Sequence, residues 1–238
     1  MASRYVDRGR KEIASSVRDA RDTLKVTLRQ RCFYLFCALL VLLMAVPFLE
    51  GTPQGRIVFT AMHMSVLIAG IAAVGRSAGG VLIGVLLGVP AAAFMAMGQL
   101  SDGRELVILS NAFAAAFYFV NVSYLMSYAM RRDVLTMDKL YGAAAAFLML
   151  GVLWGYFYFI LMWFHPGALT LGGEPVSRMP PSTMLFFSFV TLTSTGMSDV
   201  MPAHPLARML CVFEMITGVM FLAVLIARLA GTYPPREG

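Results

Sequence analysis

Charged residues are scarce in this chain, and their scarcity excludes most soluble folds. Only 13% of the 238 residues are charged, whereas 59% are hydrophobic and the mean hydropathy is +0.74. A soluble domain carries about 25% charged residues. Six apolar runs approach or exceed the roughly 20 residues that cross a bilayer: 32–49, 57–75, 80–99, 106–129, 140–163 and 205–230. The composition therefore predicts an all-α integral membrane protein with six transmembrane helices.

Cysteine and histidine are also rare, with three of each. The cysteines fall inside apolar runs without metal-ligand spacing, so they are expected to act as small hydrophobic residues. The histidines lie in three different segments. Catalysis needs a converging nucleophile, base or metal ligand set. We therefore expect no enzyme activity and no cofactor. The six residues are Cys32, Cys37, Cys211, His63, His165 and His204.

The distribution of lysine and arginine predicts the orientation in the membrane. If six spans alternate, fifteen of these residues fall on the side of the termini and four on the other. The positive-inside rule then predicts a multi-pass protein of the cell membrane with both termini cytoplasmic. The net charge of +6 indicates contact with an anionic inner leaflet and not with nucleic acid. Residues 1–31 form either a basic amphipathic helix at that leaflet or a solvated tail.

The segment between the last two runs is the most informative part of the chain. From Pro180 to Pro202 it combines hydroxyl residues, one glycine and one acid, and it is too short to form a domain. Non-helical backbone at membrane depth survives only where it is buried in protein or lines an aqueous cavity. The segment therefore predicts a re-entrant loop that presents carbonyl groups to ions.

Residues 193–199 read Thr-Ser-Thr-Gly-Met-Ser-Asp and resemble the potassium-channel filter, usually Thr-Thr-Val-Gly-Tyr-Gly-Asp. The resemblance extends over about residues 139–231. It implies a pore domain at 131–238 with an outer helix at 140–163, a pore helix at 182–192 and an inner helix at 205–230. It also implies a homotetramer that conducts cations, with K⁺ or Na⁺ the only metal bound. The filter residues would be Thr193, Ser194, Thr195, Gly196, Met197, Ser198 and Asp199.

Departures from the usual filter predict weaker potassium selectivity. Met197 lacks the tyrosine phenol, and Phe186 and Phe187 stand where many relatives have tryptophan donors, so the support around the filter is apolar. Thr195 replaces valine and adds a hydroxyl that can compete for backbone groups. Ser198 replaces a glycine whose backbone conformation would cost serine about 1–2 kcal/mol per subunit. Fourfold symmetry multiplies that strain, and a change of backbone shape would avoid it.

The inner helix supplies the remaining candidate residues. Gly218 falls where the resemblance places a hinge glycine. Val219, Leu222 and Ile226 would then face the conduction pathway, and an inner pore lined by apolar side chains can close by dewetting. Glu214 is an acid within the membrane. It either contacts ions or, as we favour, forms a buried hydrogen bond to the back of the pore helix as a filter support.

Residues 32–130 form a four-span bundle ahead of the pore, a layout similar to that of voltage-gated channels. A voltage sensor needs arginines at three-residue intervals in its fourth span. The fourth span contains none, so we expect a bundle without voltage sensing. The alternatives to a conducting channel are a non-conducting or regulatory pore-like subunit and a part of an ion transporter.

Overall fold

The computed structural model describes residues 31–50, 52–74, 78–100, 104–131 and 136–230. These residues form a chain that is almost wholly helical, which confirms the predicted all-α class. The segment predicted at residues 1–31 lies outside the described residues except for Arg31. The helices are α1 (Arg31–Leu49), α2 (Pro53–Val74), α3 (Ala78–Leu100), α4 (Arg104–Ala129), α5 (Met137–Phe164), α6 (Pro181–Leu192) and α7 (Pro205–Ala230).

Each of the six predicted spans coincides with a helix, and the pore helix corresponds to α6. Among the described residues, four helical stretches are long and apolar enough to cross a membrane: Arg31–Leu49, Glu105–Ala129, Met137–Phe164 and Pro205–Arg228. Helices α2 and α3 contribute shorter apolar stretches, Thr60–Gly70 and Leu82–Ala91. These helices agree with a transmembrane protein.

Helix α5 is the central helix of the fold, because two thirds of its apolar window is buried. Its first turn is capped by Thr136, whose hydroxyl accepts a hydrogen bond from the backbone N–H of Lys139. Small residues let neighbouring helices approach it. A methyl group at Gly151 would lie 2.6 Å from the Phe189 ring of α6, and one at Gly142 would lie 3.3 Å from Cys32 of α1. We call α1–α4 the bundle, and α5–α7 with their connecting segments the pore module.

A three-stranded antiparallel sheet connects α5, α6 and α7, and the sequence did not predict it. Its strands are β1 (Leu169–Leu171), β2 (Glu174–Val176) and β3 (Val200–Pro202), in the order β2-β1-β3. Gly172 and Gly173 make the two-residue turn between β1 and β2 with φ of 60° and 91°. Such a turn needs positive φ at both positions, which glycine adopts without strain. The third strand directly follows the filter segment.

Candidate functional site

The pore helix α6 begins at Pro181, directly after Pro180. Proline is favoured in the first turn because its missing N–H has no partner there in any case. The helix buries Met184, Phe187, Ser188, Thr191 and Leu192 against the rest of the chain. At its end the backbone N–H of Thr193 donates to Phe189 O at 3.0 Å and that of Ser194 to Thr191 O at 2.9 Å. The predicted filter residues therefore start at the carboxyl end of a buried helix.

The filter backbone differs from the conformation that the resemblance implies. Ser194 and Gly196 have positive φ, 56° and 74°, whereas Ser198 does not. The strain expected at Ser198 is therefore absent, and its hydroxyl instead accepts a hydrogen bond from Val200 N at 3.1 Å. The left-handed conformation falls on Ser194, where a residue with a side chain pays a cost of order 1 kcal/mol. Positive φ is therefore found at Ser194 and Gly196 and not at Ser198, where the usual filter has its second glycine.

Hydroxyl groups organise the inner end of the filter. Thr193 donates its hydroxyl to Phe189 O at 2.7 Å, and the hydroxyl oxygens of Thr193 and Thr195 lie 2.8 Å apart. Since Thr193 has a single hydroxyl proton, Thr195 is the donor in that second contact. The backbone N–H of Thr195 donates to Val190 O at 2.9 Å. The extra hydroxyl of Thr195 thus bonds another side chain.

The outer end of the filter is held by the sheet. Strand β3 follows Asp199 and pairs with β1, so that Leu171 lies opposite Val200. The backbone N–H of Gly172 donates to Asp199 O at 3.0 Å. Residues Thr193 to Met197 are exposed in the single chain, and Met197 is 71% exposed. Sequence reasoning missed this support because strands of three residues give no periodic signal.

Glu214 is fully buried behind the pore helix. Its Oε2 accepts a hydrogen bond from the Tyr158 hydroxyl at 2.6 Å, and its Oε1 lies 2.6 Å from Ser188 Oγ of α6. Ser188 Oγ also lies 2.7 Å from the backbone oxygen of Gly151. The carboxyl group therefore joins all three helices of the pore module.

The proton count at Ser188 indicates the state of this acid. Ser188 has one hydroxyl proton and two neighbouring oxygens, one on Gly151 and one on Glu214. If Glu214 is ionised, it can only accept, and one of the two contacts lacks a proton. If Glu214 is protonated, it donates to Ser188, which donates to Gly151, and Tyr158 donates to the other carboxyl oxygen. A protonated carboxyl group therefore satisfies all of these contacts, whereas an ionised one leaves a contact without a proton.

The two phenylalanines assigned to filter support have different positions. Phe187 is 4% exposed, and its ring packs edge-on against that of Tyr158 with centroids 5.0 Å apart. Phe186 is 54% exposed in the single chain. Of these two residues of the pore helix, Phe187 alone is turned toward the interior of the pore module, next to Tyr158, whose hydroxyl bonds Glu214.

Gly218 lies where α7 crosses the end of the pore helix. A methyl group built on Gly218 would overlap the backbone oxygen of Leu192, and α7 runs without interruption through this position. In this structure the glycine allows close packing of two backbones. The three residues predicted to face the pathway, Val219, Leu222 and Ile226, are exposed in the single chain.

Glu50, which directly follows α1, contacts the beginning of the pore helix. Its Oε1 accepts a hydrogen bond from Ser182 N at 2.5 Å and its Oε2 one from Ser182 Oγ at 2.6 Å. The N-cap residue of α6 is Pro180, which has no side-chain acceptor. A carboxylate from the bundle thus takes the place of the missing cap. No sequence signal pointed to Glu50, because its partner lies 132 residues away.

Two of the three histidines come together. The rings of His165 and His204 stack with centroids 4.5 Å apart, although the sequence places them in different segments. Among the described residues there is no group of three or more His, Cys, Asp or Glu that could hold a metal ion.

The fold and this site consist of two long helices, α5 and α7, joined by the short buried helix α6 and an extended loop. Residues 145–233 match the family model described as "Ion channel". This part of the chain is therefore an ion channel domain of the two-helix type, in agreement with the resemblance seen in the filter sequence, and it favours transport over catalysis. No curated protein and no solved structure gives a significant match to the chain.

Proposed function

We propose that four copies of this chain surround the 193–199 segment and form a cation channel. The observation that carries the proposal is the exposed loop Thr193–Met197 at the carboxyl end of the buried helix α6, within the ion channel domain. A helix end of this kind carries partial negative charge and favours a cation nearby. One loop cannot enclose an ion, whereas four symmetric copies supply a ring of carbonyl oxygens that replaces the hydration shell.

The exposed surface of α7 supports assembly. Only 22% of its apolar window is buried in the single chain. An exposed apolar surface that extends along a whole helix indicates contact with other protein subunits or with lipid. In the proposed tetramer one side of α7, with Val219, Leu222 and Ile226, lines the inner pathway, and the other sides meet neighbouring subunits.

The proposed topology has six spans in the cell membrane and both termini in the cytoplasm. It rests on the excess of lysine and arginine on one side, fifteen against four, and on helices at all six predicted positions. The basic side would lie against the anionic inner leaflet, and nucleic acid is no partner. Because the fourth span lacks arginine after residue 104, conductance would depend only weakly on voltage.

Potassium selectivity is proposed to be reduced, with K⁺ or Na⁺ as the permeant ion. The phenol and indole donors of the usual filter support are missing from the sequence, and Ser194 has a strained backbone. The sheet holds the outer end only through Asp199 and the residues that follow it. Thr195 is bonded to Thr193 and Val190 at the inner end, whereas the Met197 side chain is 71% exposed in the single chain. We therefore propose that Met197 is the filter residue least fixed by its surroundings.

Ion flux from liposomes tests this proposal. Purified protein is reconstituted and K⁺, Na⁺ and Cl⁻ gradients are compared, after its mass in detergent or lipid has been measured. We expect a tetramer that passes cations and excludes chloride, with a lower preference for K⁺ than relatives with a complete Gly-Tyr-Gly sequence. A stable monomer or dimer contradicts the tetramer. A tetramer without flux contradicts conduction and supports a regulatory subunit instead.

A further inference from the structure

A cavity of about 340 Å³ lies between the bundle and the pore module. This volume falls in the range of about 300–1,000 Å³ typical of small-molecule sites. Its lining comes from α1 to α6 and from the segment before α6, and it is mainly apolar, as illustrated by Leu42, Phe159 and Leu185. Since Leu185 belongs to the pore helix, an occupant of the cavity would touch the element that precedes the filter.

The cavity is elongated along α5. Its lining on this helix runs from Val152 to Trp163, which is eleven residue steps or about 16 Å. One leaflet of the hydrocarbon core is about 15 Å deep, half of roughly 30 Å. The lining residues on α4, from Val107 to Ala114, belong to its first half. The end of α4 lies beside the start of α5, where Tyr128 bonds Asp138. The first half of α4 therefore lies beside the last part of α5, which contains Trp163.

The two ends of the cavity differ in polarity. Val152 and Ala114 are buried apolar residues at one end. At the other end Arg178 is exposed, and its guanidinium lies 5.5 Å from the centre of the Trp163 ring. Tryptophan is enriched at the level of lipid headgroups, and arginine binds phosphate through its planar fork of donors. The carboxylate of Glu50 is engaged by Ser182 and is not part of the lining.

We propose that this cavity binds an anionic phospholipid, with one acyl chain along α5 between Val152 and Trp163 and the phosphate against Arg178. The apolar length holds the chain, and the Arg178 guanidinium complements the charge of the phosphate at headgroup depth in the outer leaflet, the side opposite the termini in the proposed topology. The bound chain contacts Leu185 and so packs against the pore helix. The proposal rests on the membrane topology given above and is independent of whether the pore conducts.

Photolabelling tests the proposal. The full-length protein is reconstituted into bilayers of phosphatidylglycerol that contain a small fraction of the same lipid with a diazirine on its acyl chain. After illumination the labelled peptides are mapped. We expect labelling to concentrate on residues 152–163 and 107–114, several-fold above the exposed apolar residues Val41, Met44 and Phe48 of α1. Arg178→Gln should lower it several-fold, Arg178→Lys should retain most of it, and the control Arg208→Gln, outside the cavity, should leave it unchanged.

A second variant and two further probes make the test decisive. Ala114→Phe fills the cavity from α4 and should displace the label, and Arg178→Gln remains informative if this variant does not fold. Phosphatidylcholine with the same photoreactive chain should label this face less, and inorganic phosphate should not compete. Uniform labelling of all lipid-facing helices, equal labelling by both lipids, or displacement by phosphate alone would each overturn the proposal. Loss of ion flux would not bear on it.

Discussion

The pore module and the bundle are both helical and apolar, yet they are specified in different ways. In the pore module Glu214, Tyr158 and Ser188 are joined by hydrogen bonds of 2.6 Å, which fix three helices relative to one another. In the bundle the buried Asn121 uses its amide N–H on the backbone of its own helix, at Phe117 O. Among the described residues, its Oδ1 and the Tyr118 hydroxyl have no hydrogen-bond partner, and in the pore module the same holds for Trp154 Nε1.

The difference in polar contacts between the two regions indicates which part of the sequence is more tightly constrained by the structure. A polar network between helices accepts only a few residue types at each position, because any unmatched donor or acceptor is costly in an apolar environment. Apolar packing tolerates many substitutions that preserve volume. The part of the chain that matches a family model, residues 145–233, is the part with the network, the sheet and the filter.

Helix α1 joins the two regions by a carboxylate contact at each end. At its beginning, the Cys32 N–H donates to Asp138 Oδ1 of α5 at 3.1 Å, and the Tyr128 hydroxyl donates to Oδ2 at 2.9 Å. After its other end, Glu50 holds Ser182 of the pore helix. Helix α1 is thus attached to the pore module at two positions separated by the length of a 19-residue helix, and His63 of α2 adds a third link between the regions through Nε2 at 3.2 Å from the Tyr156 hydroxyl.

The largest effect should come from adding a methyl group inside the pore module. Gly218→Ala places a Cβ against the backbone oxygen of Leu192, which cannot move without shifting the end of the pore helix. Overpacking of this kind costs about 1–3 kcal/mol or more per subunit. We expect loss of the tetramer and of ion flux, measured by mass and by liposome assay.

The matched control for this prediction is Gly155→Ala in α5. Its new methyl group would meet Leu185 at 3.5 Å, which is ordinary contact, so assembly should persist. If Gly218→Ala assembles and conducts as well as Gly155→Ala, the close approach of α6 and α7 is not required, and a hinge role for the glycine becomes the better explanation.

Glu214 tests the hydrogen-bond network. Glu214→Ala removes the strong acceptor of the Tyr158 hydroxyl and the partner of Ser188 Oγ, at a cost of roughly 1–3 kcal/mol in total, because Ser188 keeps Gly151 O at 2.7 Å and Tyr158 keeps only the weaker Cys211 Sγ at 3.4 Å. Glu214→Gln keeps one donor and one acceptor in the same shape as a neutral acid, so it should cost less than about 1 kcal/mol. Thermal unfolding in lipid compares the two variants. Equal destabilisation by Gln and by Ala would contradict a protonated Glu214.

Glu50 tests the link between the two regions. Glu50→Ala removes the acceptor for Ser182 at the start of the pore helix, and loss of a helix cap costs about 0.5–2 kcal/mol. Ser182→Ala should add little once Glu50 is gone, because both changes break the same contact. Glu105→Ala, which removes an exposed carboxylate of the bundle, is the control. Additive effects of the two changes on the unfolding temperature would show that this link is not energetically coupled.

The sequence predicted the helices well and the contacts between them poorly. Long apolar runs placed α1, α4, α5 and α7 because about 20 apolar residues have few alternatives to a membrane helix. The pore helix and the position of the filter followed from the resemblance at residues 193–199. The sheet was missed because its strands have three residues each, and the caps by Glu50 and Asp138 were missed because their partners are distant in sequence.

The filter segment shows that sequence reasoning also fails to predict which residue adopts an unusual backbone conformation. The substitution of glycine by Ser198 was visible in the sequence, and so was the strain it would bring. Which residue of the segment adopts positive φ was not visible, because it depends on the bonds that hold each neighbour. In the structure Val200 N donates to the Ser198 hydroxyl, and the positive φ lies at Ser194.

The smallest expected effect concerns selectivity and restores the usual filter residues. The double change Met197→Tyr with Ser198→Gly supplies a phenol that can bond the surrounding protein and a residue that adopts positive φ freely. One additional hydrogen bond contributes about 0.5–1.5 kcal/mol, so the ratio of K⁺ to Na⁺ permeability should rise a few-fold, measured as a shift of the reversal potential in mixed ions. Ser198→Gly alone removes the acceptor for Val200 N and should give no gain, because position 197 still lacks the phenol that could bond the surrounding protein. If the unmodified protein already excludes Na⁺ strongly and the double change has no effect, the sheet on Asp199 is sufficient to hold the whole filter, and side-chain donors around it do not set its selectivity.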